Sequence, residues 1–365
     1  MIEFHSSPNP TIGVEIELQL IDDNTLDLKN ISSKVLADID KKFCNRMKYE
    51  LFESMIEINT DICSTIEEVE GDIKQTLRHL EEVLKNYNAS INCSSLHPFA
   101  RGKNQIISND SRYKRIMNDL QIIGTRFITQ GLHVHIGIDE CEKVIKVNNA
   151  LRIYLPLLLA LSTSSPFYEG EDTGLYSYRT KIFESLPLAG MPDYLNNWDH
   201  FTNITENLIK ADVIKSVKDL WWEVRPHPGF GTVEVRVCDI PVNLIQILAL
   251  IALIQALVVT IQNLDKYPDT HIQILESNKW QAVRYGLEGT FIDPLTLKQL
   301  PIKKAIEDLC NLIEPVMISL GSAKYVRVIE EILIQGTGAS QKRDIFKKSG
   351  KFEYMIKSMK ERFYQ

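Results

Sequence analysis

No two of the six cysteines form a C-x-x-C pair; Cys44, Cys63, Cys93, Cys141, Cys238 and Cys310 lie far apart. That spacing excludes a zinc ribbon or a thioredoxin-type motif. Scattered, reduced thiols fit a cytoplasmic setting and read as small buried residues, with no warrant for redox regulation. Positive charge is also scarce. The formal net charge is −7 with no long basic run, which gives no support to a nucleic-acid partner. Lys342, Arg343, Lys347 and Lys348 read as a solvated helix face. No glycine-rich Walker A sequence is present. A charged segment followed by an apolar one is missing at the start, so no signal peptide is expected. Internal repeats, low-complexity tracts and linkers are also lacking. What remains is ordinary globular composition, 44% hydrophobic and 24% charged over 365 residues. These features predict a single α+β domain over residues 1–365 with a substantial core.

Long apolar runs are few. Asn243 to Leu264 is almost wholly apolar and long enough to cross a bilayer. Gln246, Gln255 and Gln262 interrupt it and no basic anchors flank it closely, so a buried central helix and no membrane partner are expected. Leu151 to Ser162 is a second apolar stretch, in which Pro156 implies a kink or break.

Periodicity predicts strands over Thr11 to Ile21, Tyr49 to Asn59, Ala89 to Cys93 and Phe127 to Ile138. Helices are expected over Ser32 to Lys42, Ser64 to Asn88, Arg112 to Asp119, Glu142 to Ala160 and Phe201 to Lys218. Ser64, with Glu67 three residues on, has the form of a capping box. Leu220 to Pro226 and Thr232 to Cys238 read as a hairpin turning at His227 to Gly231. The chain after Asn243 reads as nearly all helix. Ser164 to Asn197 is rich in Gly, Pro, Ser and Tyr and too long for a plain connection, so a functional loop or lid is expected there.

Three of the strands carry a repeated pattern. In Thr232-Val233-Glu234-Val235-Arg236-Val237 the side chains alternate faces, placing Glu234 and Arg236 on one and the valines on the other. Gly13-Val14-Glu15-Ile16-Glu17-Leu18 sets Glu15 and Glu17 on a polar face in the same way. Gly131-Leu132-His133-Val134-His135-Ile136 pairs His133 with His135, which can ligate a metal or hold phosphate. Taken singly, each pattern also suits a half-exposed strand or a surface ion pair. Together they predict a broad polar face, joined by Glu223 and Arg225, that is costly to bury without an ionic ligand. Glu50, Glu53 and Glu57 complete the acidic set. Glu50 lacks the parity of the other two, so a bulge or bend is needed to aim it with Glu57. Clustered carboxylates with histidine fit Mg²⁺ or Mn²⁺ better than zinc, and an adjacent arginine suits a transferred anionic group. Metal-dependent phosphoryl transfer follows, with ATP held by metals and arginines rather than by a glycine loop.

The motifs resemble those of the glutamate–cysteine ligase type 2 family, bacterial carboxylate–amine ligases related to glutamine synthetase. The resemblance covers nearly the whole chain. It runs through Gly13 to Glu17, Glu50 with Ser54, Glu57-Ile58-Asn59-Thr60, His97-Pro98-Phe99-Ala100 and Gly131 to His135. It continues through Pro187 to Pro192 and Trp221 to Pro226, and is most specific at Gly231 to Asp239. It implies a curved, mainly antiparallel sheet forming a funnel-shaped site with helices outside, and it implies ATP and Mg²⁺ (or Mn²⁺). A carboxylate would attack the γ-phosphate, and an amine would then displace phosphate from the acyl phosphate. The expected pair is glutamate and cysteine, giving γ-glutamylcysteine; another amine or acid, or a metal-dependent hydrolase without ATP, are the alternatives. Glu15, Glu17, Glu50, Glu57, His133 and Glu234 match metal-ligand positions, leaving Glu53 a bystander. Arg236 matches the arginine that neutralises the phosphoryl group. Arg225 is expected to contact substrate or phosphate, and His135 and Arg179 the nucleotide. A homodimer is implied by resemblance alone. One departure stands near the C-terminus. The family often reads Gly-Asn-Gly-Ala, an acid, Arg and Gln, where this chain has Gly336-Thr337-Gly338-Ala339-Ser340-Gln341-Lys342-Arg343. A changed loop on the substrate side is the expectation.

Overall fold

The computed structural model describes residues 2–364. Seven strands make one sheet: β1 (Ile12–Asp22), β2 (Met47–Tyr49), β3 (Met55–Asn59), β4 (Ala89–Asn92), β5 (Leu132–Gly137), β6 (Val224–His227) and β7 (Thr232–Val235). Their order is β6-β7-β5-β1-β3-β2, with β4 also paired to β1. Every pairing is antiparallel. The long β1 holds the sheet together, since it pairs with β5, β3 and β4 along successive parts of its length.

The alternation read from the sequence decides the two faces. Val14, Ile16, Leu18, Leu132, Val134, Ile136, Val233 and Val235 are all buried on one side. Burying each such side chain stabilises the fold by about 1.5–3 kcal/mol. Behind this face lie the helices Ile66–Lys85, Cys141–Ser162 and Leu244–Asn263. Two of them, Cys141–Ser162 and Leu244–Asn263, are long and apolar enough to cross a membrane, yet both are mostly buried inside the protein. Gln255, one of the polar interruptions, donates to the Pro10 carbonyl at 2.8 Å. Pro156 lies within the helix Cys141–Ser162 and does not end it. Packing on buried neighbours offsets the roughly 3 kcal/mol that an interior proline costs.

Several boundaries differ from the sequence expectation. The expected strand over Tyr49 to Asn59 is a hairpin, with Glu50 in the connection between β2 and β3. Glu53 turns away from the sheet's polar face. Its carboxylate accepts from the Ser32 hydroxyl at 3.1 Å and the Ser33 amide at 2.8 Å, serving the start of the helix Ser32–Ala37. The cap of Ile66–Lys85 is Thr65, not Ser64. Thr65 Oγ1 accepts from the Glu68 amide at 3.2 Å while the Glu68 carboxylate accepts at 2.6 Å from the amide of Ser64, the residue before the cap, so the arrangement resembles a capping box without closing on the cap residue itself. The helix expected over Phe201 to Lys218 is Trp198–Lys210. The segment 164–197 is folded: a ribbon of Phe167–Tyr168 with Glu171–Asp172, a helix Tyr178–Phe183, and Ala189–Gly190 paired in parallel with Trp221–Trp222. Lys342 is no part of a solvated face, being 4% exposed.

Candidate active site

Strand register assembles the polar face. On β1, Glu15 stands opposite His133 of β5, and Glu17 opposite Glu57 of β3. His135 faces Glu234 of β7, which in turn faces Arg225 of β6. Cross-strand partners on one face lie within side-chain reach. The hairpin between β2 and β3 brings in Glu50, which supplies the bend that strand parity demanded. A cavity of about 240 Å³ opens over this face, and Glu15, Glu17, Glu50, Glu57, His133, His135, Arg225, Glu234 and Arg236 all line it.

The acids fall into two groups. Glu15, His133 and Glu234 each offer a ligand atom within 4.8 Å of the others, and so do Glu17, Glu50 and Glu57. The structure thus brings together the six residues expected as metal ligands, three to a group. The Nε2 atoms of His133 and His135 are buried without a hydrogen-bond partner. Nε2 of His135 lies 3.7 Å from Glu15 Oε1 and 3.8 Å from Glu234 Oε1. Its Nδ1 is 2.9 Å from the Thr232 hydroxyl. Unpartnered imidazole nitrogens beside clustered carboxylates are a donor set that fits hard divalent cations.

The two groups differ electrically. Burial pushes Glu17 up to about 7, with the Arg179 charge opposing and the Glu57 charge adding. Glu50 is raised well above the usual carboxylate range by burial and by the charges of Glu17 and Glu57. Glu57 is raised by burial and then by Glu15. In the other group burial also pushes Glu15 and Glu234 upward, but their partners win. The hydrogen bond with His133, at 3.2 Å, and the close approach of the His135 ring hold Glu15 well below the ordinary range. The charges of Arg225 and Arg236 do the same for Glu234. His133 is lowered to about 4 by burial and by Arg236, which leaves its ring neutral and able to ligate.

The arginines play different parts. Arg236 donates from Nη1 to Glu234 and lies 3.5 Å from His133 Nδ1, while its Nε is buried without a partner. Arg225 is fully engaged: Nε to Glu234 Oε2 at 2.6 Å, Nη2 to Oε1 at 3.3 Å, and Nη1 to the carbonyls of Leu220 and Val217 at 2.6 and 3.1 Å. It aims Glu234. Arg179 does not line the cavity. Its guanidinium donates to the carbonyls of Val237 and Arg236, both at 3.3 Å, in the segment that follows β7. Glu223 also leaves the polar face, because the strand breaks between Trp222 and Val224. It accepts from the buried Lys279 at 2.9 Å instead. Nor does Gly336 to Arg343 line the cavity; it leads into the helix Gly338–Ser349, which packs elsewhere.

The sequence reading missed an apolar wall. Tyr113, Ile116 and Leu120 of the helix Ser111–Leu120, with Phe127, Phe183 and Leu186, line the same cavity, and Tyr113 lies close enough to Glu50, Glu57 and Glu17 to feel their charge. The 113–116–120 spacing was a helical stripe available in the sequence. At the other end Phe230 stacks on His227 at 4.1 Å, where the hairpin turn folds over His135.

Comparison with known proteins identifies the family and the fold. The family model for glutamate–cysteine ligase family 2 matches residues 11–361. A protein of Gloeobacter violaceus named "Putative glutamate--cysteine ligase 2" is 39% identical over 359 residues, covering 95% of each chain. One of the same name from Solibacter usitatus is 35% identical over 361 residues, covering 96% of this chain and 93% of its own. Among solved structures, a glutamate–cysteine ligase of Francisella tularensis in complex with AMP superposes with a TM-score of 0.74 at 14% identity. That match covers 98% of this chain and 89% of the other. A bifunctional glutathione synthetase from Pasteurella multocida gives 0.72 at 15% identity, over 97% of this chain and 52% of its own. At such identities the structural likeness speaks to the fold alone, an α+β architecture built on an antiparallel sheet. With the family model spanning nearly its whole length, the chain belongs to glutamate–cysteine ligase family 2 and is an ATP-dependent carboxylate–amine ligase.

Proposed function

We propose that the enzyme joins the γ-carboxylate of glutamate to the amine of cysteine, through a γ-glutamyl phosphate, with release of ADP and phosphate. The observation that carries this reading is the pair of three-ligand groups side by side on one sheet face, with Arg236 against one of them. Glu15, His133 and Glu234 would hold one divalent cation, and Glu17, Glu50 and Glu57 another, either Mg²⁺ or Mn²⁺. Cations bound there would neutralise nucleotide phosphates and the charge that develops during transfer. Arg236 presents a fixed guanidinium to the transferred group, with its geometry set beforehand by Glu234. Arg225 acts behind it by fixing Glu234. The wall of Tyr113, Ile116, Phe127 and Phe183 lowers the water content beside the acids, which protects an acyl phosphate from hydrolysis. Phe183 and Leu186 belong to the segment 164–197, so closure of that segment would complete the enclosure.

ADP release from Mg²⁺–ATP tests the reading, with glutamate alone, with glutamate and cysteine, and with glutamate and other amines. Release that needs both glutamate and cysteine supports the pair. Release with glutamate and another amine keeps the chemistry and replaces the product. Amide or phosphoester hydrolysis without ATP would overturn it.

A further inference from the structure

Lys342 is buried in the helix Gly338–Ser349, with 4% exposure. Its ammonium donates to the Ser164 carbonyl and to the Ser94 hydroxyl, both at 2.6 Å. Among the described residues no carboxylate lies within ion-pair distance of it. A buried cation with only neutral partners costs several kcal/mol and pushes a lysine toward neutrality; here burial lowers it to about 8, with Asp239 opposing. Such a residue calls for an explanation other than packing.

Both of its partners lead to the floor beneath the acids. The Ser164 amide donates to Asp239 Oδ2 at 2.9 Å, so this one residue stands between a buried cation and a buried anion. Asp239 also accepts from Ser165 at 2.7 Å and Ser177 at 2.9 Å, and Ser177 caps the helix Tyr178–Phe183 that bears Arg179. Arg179 then holds the Arg236 and Val237 carbonyls. On the other route, the Ser94 carbonyl accepts from Gln19 Nε2 at 3.1 Å. Gln19 shares its face of β1 with Glu15 and Glu17. Neighbouring contacts hold the same helix in place: the Ala339 amide donates to the Thr163 carbonyl at 3.0 Å, and Thr163 and Thr337 hydroxyls lie 2.7 Å apart. Gly338 sits so close that a Cβ there would lie 2.5 Å from Val242 Cγ1.

We propose that Lys342 is a positioning residue: its buried ammonium ties the root of the segment 164–197 and the Gln19 end of β1 to one point, and so fixes Arg179 and the Arg236 backbone beneath the acids. The C-terminal helix thus acts on the reaction without touching substrate. The effect is carried by two hydrogen-bonded routes, a claim that needs a coupling measurement rather than adjacency.

The test uses the full chain and Lys342→Met, Lys342→Arg and Ser94→Ala, the last a small change that retains the fold if the methionine variant does not. Hydrogen exchange is followed by mass spectrometry, which does not rest on the reaction proposed above. In Lys342→Met and Ser94→Ala, exchange is expected to quicken on the order of 10-fold across residues 164–183 and 236–239, while the helix Leu244–Asn263 stays protected. Turnover, which does rest on that reaction, is expected to lose about 10-fold in kcat with KM for ATP held within about two-fold, and Lys342→Arg to recover part of it. A double-mutant cycle of Ser94→Ala with Arg179→Lys is expected to be non-additive. Exchange unchanged in 164–183, or raised equally in Leu244–Asn263, would overturn the proposal whatever the activity. An inactive wild type with the expected exchange pattern would count against the reaction and not against the positioning role.

Discussion

Replacing Glu17 by glutamine should make the metal-free protein more stable, by an amount that grows as pH rises from about 4.5 and is complete above about 7. Glu17 is an acid raised by burial from its ordinary 4.5 to about 7. Between those values the folded protein binds a proton that the unfolded chain has lost, so stability falls as pH rises through this window. Below pH 4.5 the carboxyl is protonated in both states and costs nothing; above 7 the full penalty applies. At about 1.36 kcal/mol per pH unit the penalty is about 3 kcal/mol. It is an upper value, because 14% of the side chain still meets the cavity. Glutamine keeps an oxygen to accept from the Gly131 amide, which bonds Glu17 at 2.6 Å, and carries no charge. With an unfolding entropy of about 2.1 cal/mol/K per residue, about 3 kcal/mol is worth about 4 °C for a chain of this length. Calorimetry in EDTA should therefore show matching midpoints for wild type and Glu17→Gln at pH 4.5, and the variant about 4 °C higher at pH 8. Adding Mg²⁺ should reverse the order at pH 8, because only the ionised carboxylate ligates. A variant no more stable than wild type at pH 8 without metal would refute the argument that burial raises Glu17.

Arg225→Met should remove about 3 kcal/mol, since it leaves Glu234 buried with Arg236 alone and strips donors from two carbonyls; urea unfolding measures this, and a weaker Mn²⁺ affinity should accompany it. Arg236→Lys should cut ADP release by about 10²–10³-fold while the thermal midpoint stays near wild type, because charge is kept and the preset geometry is lost. Gly131→Ala should cost about 1–3 kcal/mol and lower kcat: a Cβ there would lie 2.3 Å from Arg179 Nη2 and force it off its carbonyls. Thermal unfolding and steady-state kinetics on that variant check both effects.

The ligand groups were legible in the sequence because a strand converts sequence parity directly into a face, and Glu15, Glu17, His133 and Glu234 lie within strands. Glu50 was legible only through resemblance. It sits in a tight connection, where direction depends on backbone turns rather than on alternation. Arg179 and Glu223 stand off the cavity for a related reason. Each is polar and near the right motifs, but a short helix and a broken strand send them to other partners. Lys342 looked solvent-facing because four cations lie close together in sequence; only the tertiary packing of the C-terminal helix shows that one of them points inward. The apolar wall comes from three separate stretches and needs long-range assembly, beyond what local periodicity reveals.

Glu15 and Glu17 belong to different ligand groups, yet they are two residues apart on one strand. The backbone repeat of about 3.3 Å per residue therefore acts as a ruler of about 6.6 Å between the anchoring points of the two groups. Its length is indifferent to which side chains line the cavity. On the proposed reaction, wall residues such as Ile116 or Phe183 could be exchanged, and the accepted substrate altered with them, while the separation of the two ligand groups stays constant. A single-residue insertion between Glu15 and Glu17 would have the opposite effect: it would turn one acid into the core and leave the wall intact.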